Sequence, residues 1–276
     1  MTLLAVNTSY EPYSRSPEYV EANREFIASL PLPPKGRLLD LACGTGLLSL
    51  CARRAAPGLL SVGLDLSRDQ LALARREEGP ALLVRGRADV LPFRDGMFDA
   101  CVMGNAIHIL RDAPALLAGI HRVLRPGALF AFNSSFYAGT FVPGTERFYH
   151  EWVKEALACV QRRDRALREA GSPGIPRRRE ARGGAFSNRW RSAEEWITAM
   201  EAQGLRQARV RERTVVMTRT SFEMVGAYAG MAEVLLSGYP VEEASAALQI
   251  AAGPALERFG AAEIPRNWLE IQATAT

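Results

Sequence analysis

Lysine is nearly absent, with only Lys35 and Lys154 among 34 basic residues, so guanidinium groups carry almost all of the positive charge. Histidine is scarce too. His108, His121 and His150 lie far apart, and the four cysteines (Cys43, Cys51, Cys101, Cys159) form no C-x-x-C pair. That spacing argues against a metal cluster and a disulfide framework; the thiols read as reduced and structural, as in a cytoplasmic protein. No run of about 18 apolar residues occurs, which argues against a membrane span. The opening MTLLAVNTSYEP lacks a basic start followed by an apolar stretch, so secretion is not expected. Glycine and proline, at 23 and 16 residues, are too few for a low-complexity chain, and 48% hydrophobic content is too high for disorder. What remains is a globular protein of 276 residues, long enough for one large domain or two small ones.

The net charge of +4 is local in origin. Between Gln161 and Arg191 ten arginines face Asp164, Glu169 and Glu180, giving +7, so the rest of the chain carries −3. Three readings fit this run. It is a solvated loop, a grip for an anionic small substrate such as a carboxylate or phosphate, or a contact for nucleic acid or a carrier protein.

Periodicity predicts a helix over about 17–30, opened by Ser16-Pro17, and a break at the proline-rich run 31–36. Short apolar strands then alternate with helices: strands over 37–41, 60–64, 81–85, 98–103 and 128–133, and helices after Gly46, after Ser67 and over 115–124. Ser67-Arg-Asp-Gln70 reads as a capping box. Beyond Ser134 the alternation stops for about 55 residues, until the capped helix that begins at Ser192. A strand over 206–217, helices over 221–237 and 241–259, and a last strand over 267–273 follow. The fold class expected is α/β: a doubly wound, mostly parallel seven-stranded, Rossmann-like sheet with helical lid insertions. The corresponding division is an N-terminal helical segment at 1–36, a cofactor-binding core at 37–135, a lid insertion at 136–191, and a C-terminal part at 192–276 with a second helical insertion at about 219–262.

Ligands of such a sheet bind at the carboxyl ends of the strands. The first strand runs into Asp40-Leu-Ala-Cys-Gly44-Thr-Gly46, and Asp65 closes the second strand nineteen residues after Gly46, where a carboxylate can accept from two ribose hydroxyls. Nicotinamide enzymes share a glycine loop with a downstream acid. Here, however, Ser49 stands where their third glycine belongs, and Asp40 sits inside the turn, where a carboxylate suits an ammonium or sulfonium better than a pyrophosphate.

With these residues, and with Ala88-Asp89-Val90-Leu91-Pro92-Phe93, Asp95-Gly96-Met97-Phe98-Asp99 and Arg122-Val-Leu-Arg125-Pro126-Gly127, the chain resembles a class I S-adenosylmethionine-dependent methyltransferase over about residues 37–133. The resemblance is to the broad group holding the ubiquinone and menaquinone biosynthesis and natural-product enzymes. It implies S-adenosyl-L-methionine as cofactor, leaving as S-adenosyl-L-homocysteine. By position, Asp40, Gly44 and Gly46 would line its methionine end, Asp65 would hold the ribose, Asp89 would hydrogen-bond the adenine amino group with Val90 beside it, and Ala42, Leu66 and Ala88 would be among the cofactor-binding residues. Asn105 and Ala106 would face the reacting methyl. Ala42 departs from the glycine common at its position, which would set the loop slightly farther from the ligand.

Methyl transfer needs an aligned nucleophile and, for a hydroxyl, a base. His108 suits that role by its ordinary pKa, alongside the reading of a loop-filling histidine; Tyr149 and His150 in the first insertion are further catalytic candidates, alongside the reading that the insertion's aromatics are its own core. The expected function is methylation of a small organic acceptor, anionic or natural-product-like, in secondary metabolism, with oxygen favoured over carbon. Nucleic acid is disfavoured because Gly104-Asn-Ala-Ile-His108 lacks the Asn/Asp-Pro-Pro-aromatic motif of adenine amino-group enzymes. A non-methylating cofactor-binding protein or a repurposed enzyme on the same fold is the competing reading, and no resident metal is expected.

Overall fold

The computed structural model describes residues 11–77, 79–110, 112–178 and 190–276. In chain order the elements are α1 (Glu11–Ser14), α2 (Pro17–Ala28), β1 (Lys35–Leu41), α3 (Leu47–Ala55), β2 (Gly58–Asp65), α4 (Arg68–Arg76), β3 (Leu82–Arg85) and β4 (Phe98–Gly104). A 3-10 turn (Ile107–Ile109), α5 (Ala113–Val123), β5 (Leu124–Ser134), α6 (Glu146–Glu169), α7 (Ala193–Glu201) and β6 (Leu205–Thr218) follow. The chain ends in α8 (Arg219–Ala227), α9 (Ala229–Leu235), α10 (Val241–Phe259) and β7 (Glu263–Ala275).

The seven strands form one sheet in the order β3-β2-β1-β4-β5-β7-β6. β1 pairs in parallel with β2 and β4, β2 with β3, and β4 with β5, whereas β7 runs antiparallel to β5. The expected doubly wound α/β sheet is therefore present. Parallel strands need both faces covered, and the residue parity shows it. Leu39, Leu41, Cys101, Met103, Phe130 and Phe132 belong to one buried cluster. Leu38, Ala100, Val102 and Ala131, their sequence neighbours on the opposite face, belong to another with Phe26 and Ile27 of α2. β5 begins earlier than expected, because Arg125-Pro126-Gly127 lies within an irregular strand and not a turn: the register slips between Phe98 and Ala100.

Contacts divide the described residues into two compact units. One comprises Val20–Thr140, Trp190–Thr214 and Asn267–Thr276 and holds the two clusters above; the other falls within Met1–Tyr19, Phe141–Arg189 and Val215–Arg266. In the second, Trp152 of α6 donates its indole N–H to the Leu248 carbonyl of α10 at 2.9 Å. The Phe222 ring of α8 meets Phe148 and Trp152 at 4.7 and 5.1 Å between centroids. Alanines 244, 247, 251, 252 and 255 along α10 are buried, and small side chains let helix backbones approach closely. The single helix expected over 221–237 is two helices, since Tyr228 adopts an extended conformation between α8 and α9. No helix among the described residues is long and apolar enough to cross a membrane.

Candidate active site

The parallel register lines up the strand ends from which the candidate residues project. Asp40 lies opposite Gly63 of β2 and Val102 of β4, Asp65 opposite Arg85, and Gly104 opposite Asn133. The glycine loop after β1 is thus flanked by the loop carrying Asp65 on one side and that carrying Asn105 on the other.

Within the loop Ala42 takes a left-handed φ of 55°, followed by Gly44 at 53° and Gly46 at 82°. Gly46 is required sterically, because a Cβ there would lie 2.6 Å from Pro80 Cδ and 3.0 Å from the Gly79 backbone. Asp40 is buried and accepts from both the backbone N–H of Ser49 at 3.0 Å and its hydroxyl at 2.7 Å. This gives a physical reason for the serine at the third-glycine position: it supplies the two donors that keep a buried carboxylate tolerable. Burial still pushes Asp40 up to about 7, against the pull of the Ser49 hydrogen bonds, and the charge of Asp65 adds to the rise. A cation brought to this end of the sheet is favoured electrostatically.

Asp65 is held by backbone donors, one for each oxygen: Gly44 N–H to Oδ2 at 2.9 Å and Ser67 N–H to Oδ1 at 2.8 Å. Each oxygen keeps acceptor capacity for a hydroxyl. Leu66 and Val90, the residues after Asp65 and Asp89, are large apolar side chains left 62% and 69% exposed. Ala88 is buried, and Asp89 forms a bidentate pair with Arg87 at 2.9 and 2.6 Å, which holds its carboxyl below the usual range.

The capping box expected at Ser67–Gln70 is half formed. Ser67 Oγ accepts from Gln70 N–H at 3.3 Å, but Asp65 takes the Ser67 N–H that a reciprocal glutamine would have taken. The Gln70 amide is released as a result. It is buried, neither its oxygen nor its nitrogen has a partner among the described residues, and its oxygen comes within 3.7 Å of where a Gly44 Cβ would be. An orphaned amide and a two-oxygen acceptor beside the glycine loop, with exposed apolar side chains following Asp65 and Asp89, fit a nucleoside with a cationic tail. Gln70 is the residue that sequence reasoning missed, since its capping pattern explained it fully.

After β4, Asn105 turns left-handed at φ 46° and is locked in place. Its N–H donates to Asn133 Oδ1 at 2.8 Å, its Oδ1 accepts from Ser135 N–H at 2.8 Å, and Asn133 Nδ2 donates to Asn23 Oδ1 of α2 at 2.9 Å. Ala106 beside it is buried. His108, in the 3-10 turn, is half-buried; its Nδ1 lies 3.0 Å from Ser134 Oγ and its ring 4.4 Å from that of Phe136.

Tyr149 and His150 belong to the other unit. There Tyr149 is buried among Phe141, Phe148 and Phe222, with the Arg266 guanidinium 5.6 Å over its ring, and burial raises its phenol above the usual value. His150 is exposed on α6. Phe148, Tyr149 and Trp152 are all buried in this unit. Among the described residues no group of three potential ligands could hold a metal ion. Arg179, Arg182 and Arg189 of the basic run lie outside the described residues.

Residues 39–132 match a methyltransferase domain family. The chain is 38% identical over 115 residues to the demethylmenaquinone methyltransferase of Symbiobacterium thermophilum, covering 39% of this chain and 46% of that protein. It is 31% identical over 121 residues to the malonyl-[acyl-carrier protein] O-methyltransferase of Pectobacterium atrosepticum, covering 44% and 47%. The chain spans about half the length of these curated relatives. Among solved structures, the YcgJ protein of Bacillus subtilis superposes with a TM-score of 0.58 at 17% identity over 92% of this chain and 98% of that one, a likeness of fold. Residues 39–132 therefore carry a methyltransferase domain, set on the mostly parallel seven-stranded sheet described above.

Proposed function

We propose that this protein methylates a hydroxyl oxygen of a small organic acceptor of natural-product type, in the cytoplasm. The observation that carries the reading is the half-formed cap at Asp65–Gln70. It leaves a braced carboxylate and an orphaned amide on one side of the glycine loop, where a ribose would lie. Asp65 would accept from the two ribose hydroxyls, Leu66 and Val90 would enclose the adenine, and Asp89 would accept from its amino group. Asp40, Gly44 and Gly46 would border the cationic methionine end, beside Ala42, with Asn105 and Ala106 on the far side. S-adenosylmethionine, when bound, supplies an electrophilic methyl on a sulfonium and departs as S-adenosylhomocysteine.

His108 would remove the proton of the acceptor hydroxyl as the oxygen takes the methyl. Its Nδ1 contact with Ser134 fixes the ring, and an imidazole is the side chain suited to proton transfer near neutrality. The relatives' names span a quinone and a carrier-protein substrate, so an acceptor panel should hold phenols, quinols and carboxylates, including anionic members. The test is titration with S-adenosylhomocysteine and with NAD, followed by transfer of labelled methyl to the panel. Micromolar binding of the former alone, with an oxygen-methylated product and a His108→Ala loss of about 10²-fold or more, supports the proposal. Binding without any methylated product would point to a protein that uses the cofactor otherwise. A carbon-methylated product would reject the oxygen acceptor.

A further inference from the structure

The last turn of α6 and the chain beyond it build an arginine pocket for which methyl transfer has no use. A cavity of about 750 Å³ is lined by Arg168, Arg177, Arg178 and Ser237, with the turn at 173–176 as its wall, and among the described residues none that lines it is acidic. The turn is pinned at several points. Asp164 accepts from Arg168 Nε at 3.0 Å and from the Ile175 N–H at 2.6 Å, and the Ile175 side chain is buried. Gly174, at φ +80°, runs so close to Arg168 that a Cβ would lie 2.7 Å from its Nε, so a larger residue would displace the guanidinium. Arg178 donates its N–H to the Gly238 carbonyl at 2.9 Å, and the Arg177 guanidinium sits 5.2 Å above the Tyr239 ring.

Three arginines line one concave site held by this scaffold, and among the described residues Asp164 pairs with Arg168. Holding like charges together costs energy that a bound anion repays, and a guanidinium presents the planar fork that pairs with two phosphate oxygens. We infer that this pocket binds an organic phosphate, its phosphate or diphosphate group clasped by Arg177 and Arg178 with Ser237 hydrogen-bonded to it. The cavity has room for an organic body beside the anion, with Ile175 and the two prolines offering an apolar wall.

Calorimetric titration of the full chain with inorganic pyrophosphate, at low and at physiological ionic strength, tests this directly. Wild type should bind, and Arg177→Ala and Arg178→Ala should each weaken binding about tenfold or more. Arg165→Ala removes the same charge from an exposed position on α6 outside the pocket, and should weaken it less than about twofold. Binding of S-adenosylhomocysteine should be unchanged in all three variants. No heat from wild type at millimolar pyrophosphate would overturn the inference, as would equal losses in all three variants, which would mean a diffuse field. A single-stranded oligonucleotide binding far more tightly than pyrophosphate, with Arg165 contributing as much as Arg178, would replace the pocket by an extended nucleic-acid surface.

Discussion

Replacing Asp40 by asparagine should flatten the dependence of stability on pH. The carboxyl is 1% exposed at the end of β1, and burial, with the charge of Asp65, raises it from 3.8 to about 7 despite two hydrogen bonds from Ser49. The folded chain therefore holds this proton to higher pH than the unfolded chain does. Asp40 costs nothing where both forms are protonated, below about pH 3.8, and its cost grows as pH rises to 7, levelling at about 4 kcal/mol. The D40N side chain can accept both Ser49 donors through its amide oxygen and has no charge to desolvate. In urea unfolding, its advantage over wild type should widen by about 2.5 kcal/mol between pH 5 and pH 8. If the gap stays constant within about 0.5 kcal/mol, Asp40 is already ionised at pH 5 and the burial argument fails. The same linkage reaches the cofactor: a bound cation favours the ionised carboxyl, so affinity for S-adenosylmethionine should fall below pH 7, by up to about tenfold per pH unit. In D40N it should be weaker and flat.

Ala42→Gly should leave stability unchanged or raise it by about 1 kcal/mol, since the φ of 55° that strains alanine is free to glycine; thermal unfolding decides, and a loss above about 1 kcal/mol contradicts the left-handed turn. Gly46→Ala drives a Cβ against Pro80 at φ 82° and should cost about 2–4 kcal/mol in thermal unfolding while weakening S-adenosylhomocysteine binding; a cost below about 1 kcal/mol would mean that the turn at 79–80 yields freely.

Much of the cofactor half was legible because local chemistry and long-range geometry coincide there. Short apolar runs leading to Asp40, Asp65 and Gly104, alternating with helices, read as buried parallel strands, and their carboxyl ends then share one edge of the sheet. Gln70 escaped because a capping pattern is a complete local explanation, and only the third dimension shows Asp65 occupying the donor it would have used. The 24-residue helix α6 was not read from the first insertion, although Phe148, Trp152, Ala156 and Val160 are buried at helical spacing. The break at Tyr228 carries no proline and leaves no mark in periodicity. The division into units drawn from discontinuous segments depends on contacts far apart in sequence, which no local pattern encodes.

The antiparallel seat of β7 beside β5 bears on how the chain is made. The strands β3-β2-β1-β4-β5 lie within residues 35–134, whereas the neighbour that covers the outer edge of β5 begins only at Glu263. At about 5–20 residues per second, a ribosome needs on the order of ten seconds to deliver it. Through that interval the nascent sheet presents Leu129-Phe-Ala-Phe132, an apolar strand with one row of unpaired backbone groups, to everything around it. The long excursion between β5 and β7 therefore sets a window of exposure during synthesis, and yield in expression should depend on translation speed and chaperone supply more than on the stability of the finished fold.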